Sequence, residues 1–274
     1  MIEQLLRFLP PFRGKHRLAR LLLKGRIKAN QEAIVWGRFR CRYKIPNIYE
    51  NVGFEIYING IYEPNTVSFI IKRIKRNGSF LDIGANIGAI SIPVVTLRPD
   101  ISGIGVEASP RVFDYLSWNI RINQLSNISI VNNAMSNRDD QTVDFFSPLD
   151  KFGKGSLAPI FTNDSVEVKT ITLDEFSTKQ EVPIDFIKVD VEGFESLIFE
   201  GGSELLKGMQ APEILFEFVD WAEESAGQLP GSAQTRLLDF GYNLYDFKNG
   251  KIGKKLDRPI QKGASMIFAT KCLF

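Results

Sequence analysis

Three features of the 274-residue chain predict an α/β protein built on a mostly parallel, seven-stranded sheet with helices on both faces. Short apolar runs alternate with helical patterns from residue 79 to residue 270. The first of these runs ends in a glycine turn, Gly84 to Gly88, that leads into a helix. The composition, 44% hydrophobic and 24% charged, is that of an ordinary globular protein. It excludes disordered, collagen-like and disulfide-scaffold classes.

In chain order, residues 2–9 place Ile2, Leu5, Leu6 and Leu9 at helical spacing before Pro10-Pro11, and a second basic helix carries Leu18, Leu21, Leu22 and Ile27. FRCRYKI (39–45) and FEIYI (54–58) alternate as strands do, forming a small β extension. Tyr62-Glu63-Pro64 breaks the chain before an amphipathic helix, residues 67–74, which Asn77-Gly78 stops. The seven strands of the sheet follow at 79–85, 102–108, 128–134, 185–191, 213–218, 242–247 and 265–270. Helices are expected at 88–97, shortened or kinked by Pro93, at 111–123 behind the cap Ser109-Pro110, through Phe199, and at 233–240. VDFF (143–146) and VEVKTIT (166–172) add two strands around a polar segment, 151–165, that reads as a mobile loop. The division expected is an accessory head, 1–64, and one domain, 65–274.

No run of 18 apolar residues occurs, so neither a membrane span nor a signal peptide is expected, and Cys41 and Cys272 fit reduced thiols in the cytoplasm. His16 is the sole histidine, so a zinc site or a histidine base must recruit it or be dropped. The net charge of +2 conceals a split. Residues 1–44 carry twelve Lys/Arg against Glu3 and Glu32, a surplus of ten, which leaves the rest of the chain with eight negative charges in excess.

The turn Asp82-Ile83-Gly84-Ala85-Asn86-Ile87-Gly88 belongs in the crevice outside the strand ends, where Gly84 and Gly88 let a ligand approach the backbone. Its spacing is not the dinucleotide G-x-G-x-x-G, and one acid precedes the first glycine, which suits an ammonium group better than a pyrophosphate. Glu107, at the tip of the next strand, is placed to accept from two ribose hydroxyls. A nucleoside joined to an amino acid fits both ends, which is the pattern of class I S-adenosylmethionine-dependent methyltransferases. YEP (62–64), FLDIGANIGAIS (80–91), VEASP (106–110), NNAMSN (132–137), VKTITLDEF (168–176) and IDFIKVDVEGFE (184–195) together closely resemble the FkbM family of methyltransferases, over roughly residues 50–247. The resemblance implies a Rossmann-like sheet, S-adenosylmethionine as donor and usually a hydroxyl as acceptor. By motif, Asp82, Gly84, Ala85, Asn86 and Gly88 would hold the methionine end, Glu107 the ribose, and Ala108, Ser109, Asn133 and Ala134 the adenine. Asp190 and Glu63 join this set from neighbouring turns, although ordinary turn chemistry would equally explain Glu63.

An alcohol acceptor must lose a proton, and with His16 remote the base is a carboxylate, a metal-bound hydroxyl or a water relay. Lys188, Asp190 and Glu192 share one side of their segment, and Glu217 ends the adjacent strand. Asp190, Glu192 and Glu217 would serve as base, as ligands for Mg²⁺ or as clamps on the acceptor hydroxyl. Asp190 is the preferred base, with Glu192 orienting the acceptor; the plain alternative is an ion pair between Lys188 and Asp190. Glu195 reads as solvent-facing or helix-capping, Asn119 and Asn123 as packing and capping residues, Lys154 and Ser156 as parts of a lid. Trp221 reads as core packing or as a ring stacked on a sugar. The reaction expected is O-methylation of a sugar, polysaccharide or glycolipid hydroxyl. Rival readings are an N-methyltransferase, a polyketide-type O-methyltransferase and a non-catalytic nucleoside-binding module. No nucleic-acid reader motif occurs. Residues 1–28 either pack on the body or contact the inner face of a membrane peripherally.

Overall fold

The computed structural model describes residues 6, 7, 9, 12, 14–25, 27, 28 and 31–272, so most of the expected helix at 2–9 lies outside the described residues. The head begins with helix α1 (Lys15–Leu22) and a two-stranded antiparallel hairpin, β1 (Ala33–Trp36) with β2 (Arg42–Ile45). Helices α2 (Asn51–Asn59) and α3 (Pro64–Arg73) follow.

The segment expected to be a strand, 54–58, is the centre of α2. Glu50 caps this helix by accepting from the Val52 N–H at 2.8 Å, and Gly60 ends it in the left-handed conformation, φ 73°. The alternation misleads because the helix is enclosed on nearly every side: Phe54, Ile56 and Ile58 are buried, and Glu55, Tyr57 and Asn59 are half-buried. With no wet face to report its period, a buried helix reads like a strand.

The main sheet is built from β3 (Ser79–Ile83) onward. Helix α4 (Ser91–Leu97) leads to β4 (Ser102–Val106), α5 (Pro110–Ile122) to β5 (Ile128–Val131). Pro93 sits in the first turn of α4, where its missing N–H leaves no helical bond unmade, so the helix is shorter than the pattern suggests. The predicted third strand, 128–134, divides at Asn132-Asn133. Its second half, β6 (Ala134–Ser136), joins β7 (Thr142–Phe146) and β8 (Ser165–Thr172) in a separate sheet of order β6-β8-β7. After α6 (Leu173–Thr178), β9 (Phe186–Val189) re-enters the main sheet, then α7 (Glu195–Glu200), α8 (Ser203–Lys207) and β10 (Glu213–Val219). Helices α9 (Asp220–Ser225) and α10 (Ser232–Asp239) precede β11 (Asn243–Lys248), β12 (Lys251–Lys255) and β13 (Ala264–Thr270).

The order is β12-β11-β13-β10-β9-β3-β4-β5, with β10, β9, β3, β4 and β5 parallel and the β12-β11-β13 edge antiparallel. Eight strands stand where seven were expected. The extra one, β12, arises because Asn249-Gly250 (φ 54° and 75°) turns the chain back on itself as a tight hairpin, and its lysines guard the open edge. Residues alternate across the sheet. Leu81, Ile187 and Phe216 face α7 and α10, whereas Phe80, Phe186 and Leu215 face the core under α3 and α4. Two residues further along, the second face carries Asp82, Lys188 and Glu217 instead. The order in which successive strands are added reverses between the parallel neighbours β3 and β9, so the carboxyl ends of these two strands frame the crevice.

The head docks through a third core cluster, in which Leu23, Val35, Tyr43, Ile45 and Phe54 meet Ile87, Ile92, Val112 and Leu116. Asn119 and Asn123, one turn apart on α5, clasp β2 as a neighbouring strand would. Asn119 Oδ1 accepts from Lys44 N (2.6 Å) and its Nδ2 donates to Lys44 O (3.2 Å); Asn123 does the same with Arg42 N and O, both at 2.7 Å. Among the described residues no helix is long and apolar enough to cross a membrane.

Candidate active site

The turn after β3 is held by its backbone. Gly84 and Gly88 both take left-handed φ, 79° and 83°, but the space they leave is filled by protein rather than kept for a ligand. A Cβ on Gly84 would lie 2.0 Å from the Asp190 carbonyl oxygen, and one on Gly88 would meet Ile92 and Leu116 at 2.7 and 3.0 Å. Gly84 still lines the crevice; Gly88 does not. Gly84→Ala is expected to cost at least about 3 kcal/mol, from left-handed strain plus forced separation of β3 from β9. A melting temperature lowered by roughly 6–12 °C would report it, and an unchanged one would place Asp190 elsewhere.

One crevice brings together Glu63, Asp82, Gly84, Ala85, Asn86, Glu107, Ala108, Ser109, Asn133, Ala134, Lys188, Asp190, Glu192 and Glu217. His16 is not among its walls; it packs edge-to-face on Phe54, 5.8 Å between centroids. At the end of the crevice beside β4, Glu107 is buried, and its two oxygens accept from Asn86 N and Ser109 N, each at 2.9 Å. Burial pushes this carboxyl up to about 7 despite the two N–H groups. Asn132 supports it from behind, donating through Nδ2 to the carbonyls of Glu107 (2.8 Å) and Ala108 (3.0 Å). Ser109 also caps α5, its Oγ accepting from Val112 N at 3.4 Å. The Asn86 side chain reaches the 151–165 segment, donating to Phe152 O at 3.2 Å. Asn133 is tied outward, donating to Lys169 O at 3.1 Å.

At the other end, Lys188 lies among carboxylates. Its Nζ is 3.3 Å from Asp190 Oδ2 and 3.6 Å from Asp82 Oδ1, and the other oxygen of Asp82 accepts from Ser91 Oγ. The ion pair weighed from the sequence is therefore present. Burial opposes the lysine's charge, but Asp190 and Asp82 more than restore it and hold its pKa above the usual value. Glu192 sits in a turn with φ 53° beside Gly193, φ 100°. One of its oxygens pairs with Lys154; the other, Oε2, is buried with no partner. Glu217 stands beside both, and burial, then Asp190 and Glu192, push its carboxyl up to about 8.

Asp190, Glu192 and Glu217 each offer a carboxylate oxygen within 4.8 Å of the others, a spacing that a divalent cation would accept. Two ammonium groups are already in place, however. A cation would compete with Lys154 for Glu192 and with Lys188 for Asp190, so these residues fit Mg²⁺ only with rearrangement.

The 151–165 segment, read from the sequence as a mobile loop with Lys154 and Ser156 as parts of a lid, is folded over the crevice: Phe152 and Ser156 are buried, and Lys154 reaches in from it. Other features escaped sequence reasoning. Glu195 is buried rather than solvent-facing. Its Oε1 accepts from Val191 N at 3.2 Å, and burial raises its carboxyl to about 8. Glu55, hidden by the misread helix, is raised to about 7 by burial and by Glu63, and Tyr62 lines the crevice beside them. Trp221 is neither core nor crevice wall. It is 45% exposed and edge-to-face with Phe161, 5.8 Å between centroids, and Lys154 Nζ lies 5.5 Å from the Phe161 ring.

Residues 82–244 match the family model described as the methyltransferase FkbM domain, more than half of the chain. The chain belongs to this family. It is a methyltransferase, with S-adenosylmethionine as donor and the Rossmann-like sheet of the class. No curated protein matches the FkbM chain. Similar solved structures include the METTL16 MTase domain (14% identity, TM-score 0.48), with 93% of this chain and 77% of the other covered. Another is the precorrin-6y C5,15-methyltransferase from Geobacter metallireducens GS-15 (16%, TM-score 0.45, 77% and 88% covered). A third is the M. jannaschii TYW2 in complex with AdoMet (14%, TM-score 0.42, 88% and 85% covered).

Proposed function

We propose that this FkbM protein is an O-methyltransferase whose acceptor is a hydroxyl of a sugar, polysaccharide or glycolipid. The observation that carries the reading is Glu217, a half-buried carboxyl raised to about 8 and facing the crevice. A neutral amine attacks a methyl group without help, whereas a hydroxyl needs its proton taken, and a carboxylate made more basic by burial is suited to take it. Of the three acids, Asp190 is engaged by Lys188 and Glu192 by Lys154, which moves the preferred base from Asp190 to Glu217. Bound S-adenosylmethionine would supply an activated methyl group, and Glu217 would take the proton that the acceptor hydroxyl gives up on methylation. Lys188 holds Asp190, Glu192 orients the acceptor, and Glu63 and Asp82 lie toward the methionine ammonium. A crevice dense in carboxylates suits vicinal hydroxyl donors. The cytoplasm, where Cys41 stays a thiol, is the setting this reading assigns.

Labelled methyl transfer to sugar, glycolipid, polyketide-alcohol and amine acceptors, with and without a chelator, tests it. Label is expected in a sugar methyl ether at a rate the chelator leaves unchanged. Transfer to amines alone, or donor binding with no transfer to any acceptor, would sink the reading; loss of rate on chelation would replace the direct carboxylate base with a metal-assisted one.

A further inference from the structure

The head's helix α1 turns the wrong way for a helix that serves only to pack. Its inner face carries Lys15 and Ala19, continued by Leu23, whereas Leu18, Leu21 and Leu22 point outward. Leu21 is 69% exposed, and Arg17 and Lys24, also exposed, flank this row. A second apolar group lies on the β1–β2 hairpin. Ile34 and Trp36 share its outer face, and its tip is Arg38-Phe39-Arg40, all exposed. Phe39 and Arg40 are both held at left-handed φ, 56° and 62°. That conformation is uncommon for an aromatic residue, and it marks a tip fixed in place rather than a slack loop. Both groups belong to the head, whose hairpin is also held from the N-terminal side: Arg7 donates to the Trp36 carbonyl.

Exposed leucines gathered in one place, rimmed by cations, mark an interaction surface. A second copy of the same face is opposed by charge, since residues 1–44 of each copy carry a surplus of ten positive charges. A nucleic acid would satisfy the cations and leave the leucines wet. A lipid bilayer with anionic headgroups satisfies both, burying the leucine row among acyl chains and setting Arg and Lys at the phosphates. We propose that α1 and the hairpin tip form a peripheral membrane-binding face, selective for anionic lipid, that seats the enzyme on a bilayer surface. This inference is independent of the acceptor assigned above, because none of its residues lines the crevice.

Flotation of the full chain with vesicles tests it. The protein is expected to float with phosphatidylcholine vesicles containing about one third phosphatidylglycerol, to stay behind with pure phosphatidylcholine, and to detach at about 0.5 M salt. The double variant Leu21→Glu/Leu22→Glu, and separately Phe39→Glu, should each lower the floated fraction at least about tenfold. Donor affinity measured by calorimetry should stay unchanged, which shows that the fold is intact. Wild-type protein that fails to float at low salt overturns the proposal, as does undiminished flotation of both variants. A wild-type dimer that Leu21→Glu/Leu22→Glu converts to monomer would instead make this face a self-interface.

Discussion

Replacing Glu217 with glutamine is expected to lower kcat by about 10²–10⁴-fold, the range for loss of a positioned general base, with donor affinity changed only a few-fold. Glutamine keeps the volume and a hydrogen-bonding oxygen but cannot take a proton. The pH profile separates this from a packing defect. The base works as the carboxylate, and burial beside Asp190 and Glu192 raises its pKa to about 8, so kcat/KM should rise about tenfold per pH unit below that value and level off above it. In the variant the rising limb should vanish along with the rate. Stability runs the other way. Folding raises this pKa, so the neutral acid favours the native state below the unfolded-chain value, about 4.3, and that contribution is lost as pH climbs through about 8. A Glu217→Gln enzyme that keeps its rising limb would move the base to another residue, with Asp190→Asn the next test.

Glu107→Ala should weaken donor binding by about 100-fold or more. The buried carboxylate accepts from Asn86 N and Ser109 N, and each hydrogen bond to a charged group contributes roughly 1.5–3 kcal/mol. Removing it leaves the Asn86 and Ser109 N–H groups bare and takes away the carboxylate that the family motif assigns to the ribose hydroxyls. Glu107→Gln keeps one acceptor and no charge, and should lose about tenfold. Calorimetric titration of S-adenosylmethionine into each variant reads this directly; equal affinity across the three proteins would detach Glu107 from the ribose.

The parts of this molecule that could be read from its sequence are those governed by short-range rules. β3 is apolar on both faces and enters a glycine turn, Ser109-Pro110 caps a helix, and the acid at 107 ends a strand; each shows in a few adjacent residues. What could not be read depends on contacts across the chain. Whether 54–58 is helix or strand turned on its enclosure by the head's core, and Glu55 went astray with it. Lys154 comes from a polar, glycine-containing segment whose sequence gives no sign of the buried anchor at Phe152 or of the Glu192 carboxylate it meets. The same reason applies to α1. Helical spacing shows that leucines share a face, and only the fold decides whether that face turns inward.

The three carboxylates at the strand ends bear on turnover as well as on the proton. With Glu217 as the base, the reacting methyl, and so the sulfonium, would have to lie beside Asp190, Glu192 and Glu217; the donor arrives with a positive charge at sulfur and leaves as a neutral thioether. The amino-acid and adenosine ends of the two molecules are identical, so contacts there cannot tell fresh donor from spent. The acids can, because only the donor rewards them with a counter-charge. Once the methyl group has moved, Lys154 and Lys188 are the remaining cations beside them, and the crevice holds its product less firmly than it held its reactant. In the proposed reading, an arrangement that tunes one carboxyl to accept a proton would also favour exchange of the used cofactor for a new one.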